Sequence, residues 1–272
     1  MYGWFVPSAQ AFEVRPAIQE LTVEAGSSTE RVLFVKNTDG YPLDLFLRVQ
    51  KFIAGTNGAP IFLDPADTQG LPEWIGVSAP EFRLAPGEER AIRVRISPPR
   101  EATQGGSYAG IFVAEKPLPR GAIDSARRIA TLWLVSVTQE NTSLVPSVRA
   151  TVDWKKSMNM FRRSGEVAVR IQNTGNVHTV ARLTTQHMGE REVRLLPGET
   201  RDVLFTQSRS FFTLVSREQI DVFLKGTSTS VRVGSWQAIN GWAVLSLVFF
   251  VGICATFVLW RVRARAGRRP FV

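Results

Sequence analysis

Side chains that perform acid–base or metal chemistry are few in this chain, and their spacing does not suit such chemistry. The sequence contains two histidines, His178 and His187, which flank the strand-like segment TVARLTTQ without a cysteine or carboxylate in it. Zinc sites need several such ligands at short spacing. Asp64 and Asp67 stand in DPADTQG, which lacks the remaining oxygen ligands and the closing glutamate of an EF-hand loop. We therefore predict no metal ion and no cofactor.

The segment Gly105-Gly106-Ser107-Tyr108-Ala109 comes close to the G-x-S-x-G nucleophile elbow of serine hydrolases. That elbow requires a turn from a strand into a helix. Here the residues that follow, GIFV, have the composition of a strand, and the only candidate bases are the two histidines. The sequence predicts a protein that is not an enzyme.

Two aromatic residues are candidates for ligand contact, Trp74 and Tyr108. Trp74 follows the loop GLPE and either packs into a core or stacks on a sugar ring at a rim. Tyr108 is either a sandwich-corner residue, with a buried ring and a hydroxyl bonded to the backbone, or a residue that faces a saccharide. Residue types alone leave both alternatives open.

Residues 236–260 form an almost wholly apolar segment, and the basic tail 261–272 follows it directly. About 20 apolar residues are needed to cross a bilayer core of about 30 Å. Interfacial tryptophans and cytoplasmic arginines are typical flanks of such a span. Here the flanking residues are Trp236, Trp242, Trp260, Arg261, Arg263 and Arg265. The pattern predicts a single-pass cell-membrane protein with its N-terminal part outside and its C-terminus in the cytoplasm.

The remaining composition agrees with an exported protein. Residues 1–11 end in Ala9-Gln10-Ala11, a small-x-small pattern that predicts the remnant of a signal peptide whose start is missing, with Phe12 as the mature N-terminus. The formal charge is +9, but five arginines lie in the tail, and the rest of the excess is diffuse. We therefore predict no nucleic-acid binding. The single cysteine, Cys254, lies in the apolar segment, so no disulfide joins the outer domains.

The part between these ends contains a repeated pattern of strands and turns. Alternating strands meet the turn NTDG (37–40) and again the turn NTGN (173–176), and a proline–glycine–glutamate turn follows at Pro86 and at Pro197. Short strands with polar turns are typical of immunoglobulin-like β-sandwiches. The sequence thus predicts an all-β fold of two such sandwiches in series, residues 12–142 and 143–235, followed by one transmembrane helix.

The first repeat also resembles a known family. The runs LAPGE (84–88), RVRISP (93–98) and GGSYAGI (105–111) are similar to the first domain of WxL-interacting surface proteins of Gram-positive bacteria. That resemblance implies a peptidoglycan-binding immunoglobulin-like domain, a second partner-facing sandwich and a C-terminal anchor. The same strand and turn pattern is similar to periplasmic pilus chaperones, which lack the anchor.

Two functions follow as expectations. The first is a non-catalytic, membrane-anchored bacterial surface protein that binds cell-wall peptidoglycan, a partner surface protein, or both. The alternative is a membrane-tethered pilus-type chaperone or assembly factor that acts by β-strand addition. An exposed edge strand distinguishes them, because a chaperone needs one and a wall-binding protein does not.

Overall fold

The computed structural model describes most of the two repeats and of the apolar segment. The described residues are 12–55, 58–116, 127–139, 144–153, 164–208, 215–225, 230–239 and 241–266. The predicted signal-peptide remnant, the predicted domain boundary at residues 142–143 and tail residues 267–272 lie outside them.

The chain divides into two compact units. Unit 1 comprises Met1–Val148 together with two later segments, Asn173–Thr179 and Arg194–Glu199. Unit 2 comprises Arg149–Gln172, Val180–Val193 and Thr200–Val272. The boundaries predicted from the sequence, 12–142 and 143–235, stay a prediction.

The first repeat contains two sheets. One has the strand order β1 (Phe12–Arg15), β3 (Thr29–Asn37), β8 (Glu89–Ile96) and β6 (Ile75–Val77). In the other, β2 (Ile18–Glu24) is followed by β10 (Arg128–Thr138), β9 (Gly105–Glu115), β4 (Leu43–Ala54) and β5 (Pro60–Phe62). β7 (Glu81–Leu84) also pairs with β4, and the four-residue helix α1 (Leu71–Trp74) precedes β6. The chain changes from the first sheet to the second between β1 and β2, at Pro16 and Ala17.

Alternation along these strands explains the packing of the first repeat. In β8, Ile92, Val94 and Ile96 are fully buried while Arg93 and Arg95 are exposed. The buried faces of both sheets contribute to one hydrophobic core, in which Trp133 of β10 is a fully buried member. Period-two patterning of this kind places one face of each sheet in the core and the other in water.

The second repeat is also β-structure. Its first sheet has the order β11 (Val148–Asp153), β12 (Ser164–Asn173) and β15 (Thr200–Ser208). Its second has the order β14 (Glu190–Leu195), β13 (Thr179–Thr185), β16 (Val215–Leu224) and β17 (Ser230–Ile239). The prediction of a mostly β protein with sandwich-like sheets is confirmed.

Within each repeat, hydrogen bonds join the two turns that the sequence predicts. Asn37 is fully buried, and its side chain donates to the carbonyls of Tyr41, Leu84 and Ala85. Glu88 accepts from the amide of Ala85 at 2.7 Å, which closes the proline–glycine turn. This hydrogen bond lowers the pKa of Glu88. The asparagine of one turn therefore holds the other turn in place.

The second copy reproduces this arrangement. Asn173 is fully buried and donates to the carbonyls of Val177 and Leu195 at 2.8 and 3.0 Å. Glu199 accepts from the amide of Leu196 at 2.8 Å. In both copies the turn glycine, Gly87 or Gly198, has a φ of 75°, which favours glycine. The two copies therefore share a pattern of hydrogen bonds as well as a sequence pattern.

One helix among the described residues is long and apolar enough to cross a membrane. Helix α2 runs from Gly241 to Ala266, and its stretch Trp242–Arg263 has a mean hydropathy of 2.5. The predicted segment began at Trp236, but that residue lies in β17, where it pairs with Glu218. The strand continues to Ile239 because β16 supplies a partner for it, and arginine and alanine, which are good helix formers, extend the helix past Trp260.

Candidate functional site

The exposed edge that separates the two expected functions is found on β10. One side of β10 pairs with β9 from Arg128 to Val137. On the other side the parallel strand β2 covers only Leu132–Thr138. Residues Arg128–Thr131, called the free β10 edge below, face no strand on that side within the described ranges.

The register of the ladder shows which backbone groups are open. The amide of Leu132 donates to the carbonyl of Ala17, on the β2 side, at 2.9 Å. In a strand, alternate residues direct their N–H and C=O groups to the same side. The N–H and C=O groups of Arg128 and Ala130 therefore point away from β9. Unpaired backbone groups at a sheet edge are a template for an added strand.

The side chains around this edge are small or apolar, with one cation. Ile129 packs against the core of the first repeat, and the buried Thr131 hydroxyl donates to the carbonyl of Pro16 at 2.6 Å. Ala130 pairs with Phe112 across the ladder. The Arg128 guanidinium lies 5.1 Å from the centroid of the same phenyl ring. An incoming strand would meet an apolar border beside one positive charge.

The other edge strands of the first repeat are less suited to strand addition. β5 and β6 have only three residues each, and β1 exposes the charged residues Glu13 and Arg15. β2 is longer, but it exposes Glu20, Thr22 and Glu24. Short edges and exposed charges oppose association between strands. The free β10 edge is thus the best candidate within this repeat.

Trp74 lies at the end of α1. Its side chain is half-buried and packs against the core of the first repeat, and its carbonyl accepts from the amide of Ser97 at 2.9 Å. It also lines an open cleft of about 460 Å³ together with Glu73 and Glu101. The contribution to packing is clear, and a saccharide contact at Trp74 stays a prediction.

Tyr108 lies inside β9, and its ring is half-buried. A Cβ atom on Gly106 would overlap the Tyr108 hydroxyl, so only glycine allows this side chain to lie along the strand. Burial raises the pKa of Tyr108, and the backbone of His178 lies near enough to oppose that shift. The hydroxyl forms no well-aligned hydrogen bond with a described residue. Its predicted contact with a saccharide stays a prediction.

Tyr108 begins a row of aromatic rings that the sequence reasoning missed. The ring centroids of Tyr108 and Phe52 are 5.9 Å apart, those of Phe52 and Phe62 5.6 Å, and those of Phe62 and Phe112 4.7 Å. A Cβ on Gly110 would lie 2.5 Å from the Phe62 ring. The glycine spacing in GGSYAG was the available signal. The row ends at Phe112, beside the free β10 edge.

The remaining candidates for chemistry occupy structural positions. Ser107 lies inside β9, so no helix follows it as an elbow would require. Asp64 accepts from the amide of Ala66 at 2.8 Å, and Asp67 lies 3.7 Å from Lys51. The part of the chain that the structure describes contains no group of three or more His, Cys, Asp or Glu side chains placed to hold a metal ion.

No protein-family model and no curated protein matches this sequence. Solved structures of fimbrial chaperones are similar to it. A chaperone–tip adhesin complex of CFA/I fimbriae biogenesis has 16% identity and a TM-score of 0.46, with 85% of this chain and 99% of that chain covered. The Escherichia coli chaperone DraB has 14% identity and a TM-score of 0.44, with 82% and 97% covered.

A third similar structure is the CsuC–CsuE chaperone–tip adhesion subunit complex of Acinetobacter baumannii Csu pili. It has 14% identity and a TM-score of 0.43, with 84% of this chain and 98% of that chain covered. Identities and TM-scores at this level do not transfer the activity of these proteins to this chain.

Proposed function

We propose that this protein is a non-catalytic, membrane-anchored assembly factor that binds an extended segment of another protein by β-strand addition at the free β10 edge. The observation that carries this proposal is the orientation of the backbone N–H and C=O groups of Arg128 and Ala130. They face away from β9, and β2 begins to pair only at Leu132. An added strand would continue the line of β2 along β10 and complete that side of the sheet.

The surroundings of the edge favour a partner segment of alternating apolar residues. Ile129 and Phe112 border the edge on its two faces, so apolar side chains of an added strand would find apolar neighbours there. Backbone hydrogen bonds supply affinity in this mode, and alternate side chains supply specificity. Peptidoglycan binding rests on the family resemblance and stays a prediction, which co-sedimentation with isolated wall sacculi tests.

The anchor in this proposal is α2. The stretch Trp242–Arg263 has 22 residues, which at a rise of about 1.5 Å per residue extend about 33 Å, the thickness of a bilayer core. Arginines at its C-terminal end favour a cytoplasmic location for that end. Both repeats then lie on the opposite side of the membrane, where a secreted partner protein is met.

Amide hydrogen exchange with a probe peptide tests the proposed edge. The probe is a nine-residue peptide of alternating valine and threonine, added to the full-length protein in detergent micelles. We expect the amides of Arg128 and Ala130 to exchange fast without the peptide and more slowly with it, because they gain partners only in the complex. Unchanged exchange at both residues at saturating peptide would contradict strand addition at this edge.

A pair of proline variants provides the control. Ala130→Pro removes an N–H group that has no strand partner among the described residues, so the fold is expected to persist while peptide protection is lost. Ile129→Pro removes an N–H group that points to β9 and is expected to lower the melting temperature. Equal melting temperatures for the two variants would show that the assignment of open and paired amides is wrong.

A further inference from the structure

A cluster of hydrogen bonds lies directly before the free β10 edge. The Arg127 guanidinium donates to Asp39 at 2.9 Å, to the Tyr41 hydroxyl at 2.6 Å and to Glu115 at 2.9 Å. A second, longer bond of 3.4 Å joins Arg127 Nε to the same Glu115 carboxylate. One side chain thus joins three segments: the turn after β3, the end of β9 and the start of β10.

The cluster is partly withdrawn from water. The side chains of Asp39 and Glu115 are 19% and 16% exposed, and that of Arg127 is 34% exposed. Burial works against the charge of Arg127, but the hydrogen bonds to Glu115, Tyr41 and Asp39 outweigh it and raise the pKa of this side chain. A guanidinium fork held by two carboxylates has a defined orientation, which a single exposed ion pair lacks.

The backbone of Arg127 takes part as well. Its carbonyl accepts from the amide of Glu115 at 3.1 Å, one residue before the ladder of β9 and β10 begins. Beyond this point, among the described residues, β10 has a ladder partner on one side only, β9, until Leu132 meets β2. A strand end paired on one side opens easily unless another contact fixes it.

We propose that Arg127 is a positioning residue for strand binding: its cluster with Asp39, Tyr41 and Glu115 holds the start of β10 in the plane of the sheet. This inference rests on the proposed function. The open groups of Arg128 and Ala130 are then oriented before the partner arrives, and binding does not have to order them. Such preorganisation increases affinity without adding a contact to the partner.

Disulfide capture measures this effect. The full-length protein carries Cys254→Ser and Ala130→Cys, and the probe is the valine–threonine peptide whose one central cysteine is activated as a mixed disulfide with thionitrobenzoate. The thiolate introduced at position 130 attacks the peptide sulfur, and thionitrobenzoate leaves. Arg127→Gln is expected to slow capture about tenfold. This factor corresponds to the free-energy cost of ordering about one backbone residue when the peptide binds. Arg127→Lys keeps the charge without the fork and is expected to restore part of the rate.

Arg15→Gln is the matched control. Arg15 also forms a short ion pair, 2.6 Å from Glu89, but it lies on β1 in the other sheet. Its capture rate is expected to equal that of the parent. Tyr41→Phe removes a single hydrogen bond of the cluster and provides a milder variant, expected to slow capture by less than Arg127→Gln does.

The outcomes separate the two proposals. The parent is the protein with Cys254→Ser and Ala130→Cys, and in the reference variant Thr22→Cys puts the thiol on the outer face of β2 instead. If the parent captures the peptide no faster than the reference variant does, strand addition at the free β10 edge is wrong. The proposed role of Arg127 is then wrong too. If the parent captures the peptide and both Arg127→Gln and Tyr41→Phe capture it at the parental rate, strand addition stands and the positioning role is overturned. Slower capture in these variants, with Arg15→Gln unchanged, supports both.

Discussion

Gly106 lies two residues before Tyr108, and Gly110 lies two residues after it. The absence of a side chain at each glycine leaves room for a different aromatic residue. A Cβ at Gly106 would overlap the Tyr108 hydroxyl, and a Cβ at Gly110 would meet the ring of Phe62. These glycines allow aromatic rings to lie flat along the face of β9. At the residue scale, glycine spacing therefore determines where the aromatic row lies.

Gly110→Ala is expected to destabilise the protein by about 1–3 kcal/mol, because the Phe62 ring must move out of its packed position. Gly76→Ala is the control, since a Cβ on Gly76 meets nothing within 4 Å. We expect that change to be within about 0.5 kcal/mol of the parent. Thermal unfolding followed by near-ultraviolet circular dichroism compares the two, and equal melting temperatures would refute the close contact with Phe62.

His178 provides a pH-dependent contribution to stability. Its ring lies 5.9 Å from that of Tyr108, and burial lowers its pKa from the ordinary value of 6.5. The folded state therefore binds this proton less readily than the unfolded state does. The resulting stability is present above about pH 6.5 and decreases as the pH falls from there toward the lower folded-state pKa.

His178→Gln is expected to flatten this part of the stability profile between pH 7.5 and pH 5.5. Chemical unfolding at several pH values measures the profile of the parent and of this variant. A profile that is as steep in His178→Gln as in the parent would assign the pH dependence to other groups.

At the scale of elements, the two repeats share one device for holding their turns. The buried side chains of Asn37 and Asn173 each donate to carbonyls of the proline–glycine turn and accept from the amide two residues ahead. A buried amide in this position replaces several backbone contacts that an irregular segment cannot make by itself.

Replacing either asparagine by alanine is expected to cost about 1–3 kcal/mol, because buried carbonyls lose their donor. Asn176→Ala is the control, since the side chain of that exposed residue accepts a long hydrogen bond of 3.3 Å from the amide of Val145. Unfolding of Asn37→Ala and Asn173→Ala in denaturant gives the cost. Losses no larger than that of Asn176→Ala would show that the network contributes little.

Strand positions were largely predictable from the sequence, and strand neighbours were not. The alternating run of residues Arg90–Ile96 lies within the strand Glu89–Ile96, and the apolar run Ile129–Val137 lies within the strand Arg128–Thr138. Local period-two patterning decides which residues form a strand. The candidate site depends instead on where β2 stops along β10, a pairing between residues more than 100 positions apart. No local pattern reports it.

At the scale of the whole molecule, the proposed topology depends on α2 and its arginines. We expect residues 12–235 outside the cell and residues 261–272 inside, because arginine-rich flanks resist translocation. Impermeant thiol labelling of spheroplasts tests this in a Cys254→Ser background. Ser235→Cys is expected to react and Ala264→Cys to react only after the membrane is permeabilised. Labelling of Ala264→Cys in intact spheroplasts would reverse the orientation.

A single residue, Asn240, separates the end of β17 from the start of α2. Ile239 and Gly241 are therefore joined by two peptide units, which span at most about 7 Å. A pull on the helix therefore enters the second repeat at Ile239, whose ladder partner is Val215. The hydrogen bonds between β17 and β16 bear that load before any other part of the fold. In mechanical terms, this strand pair is the point at which tension on α2 would begin to unfold the second repeat.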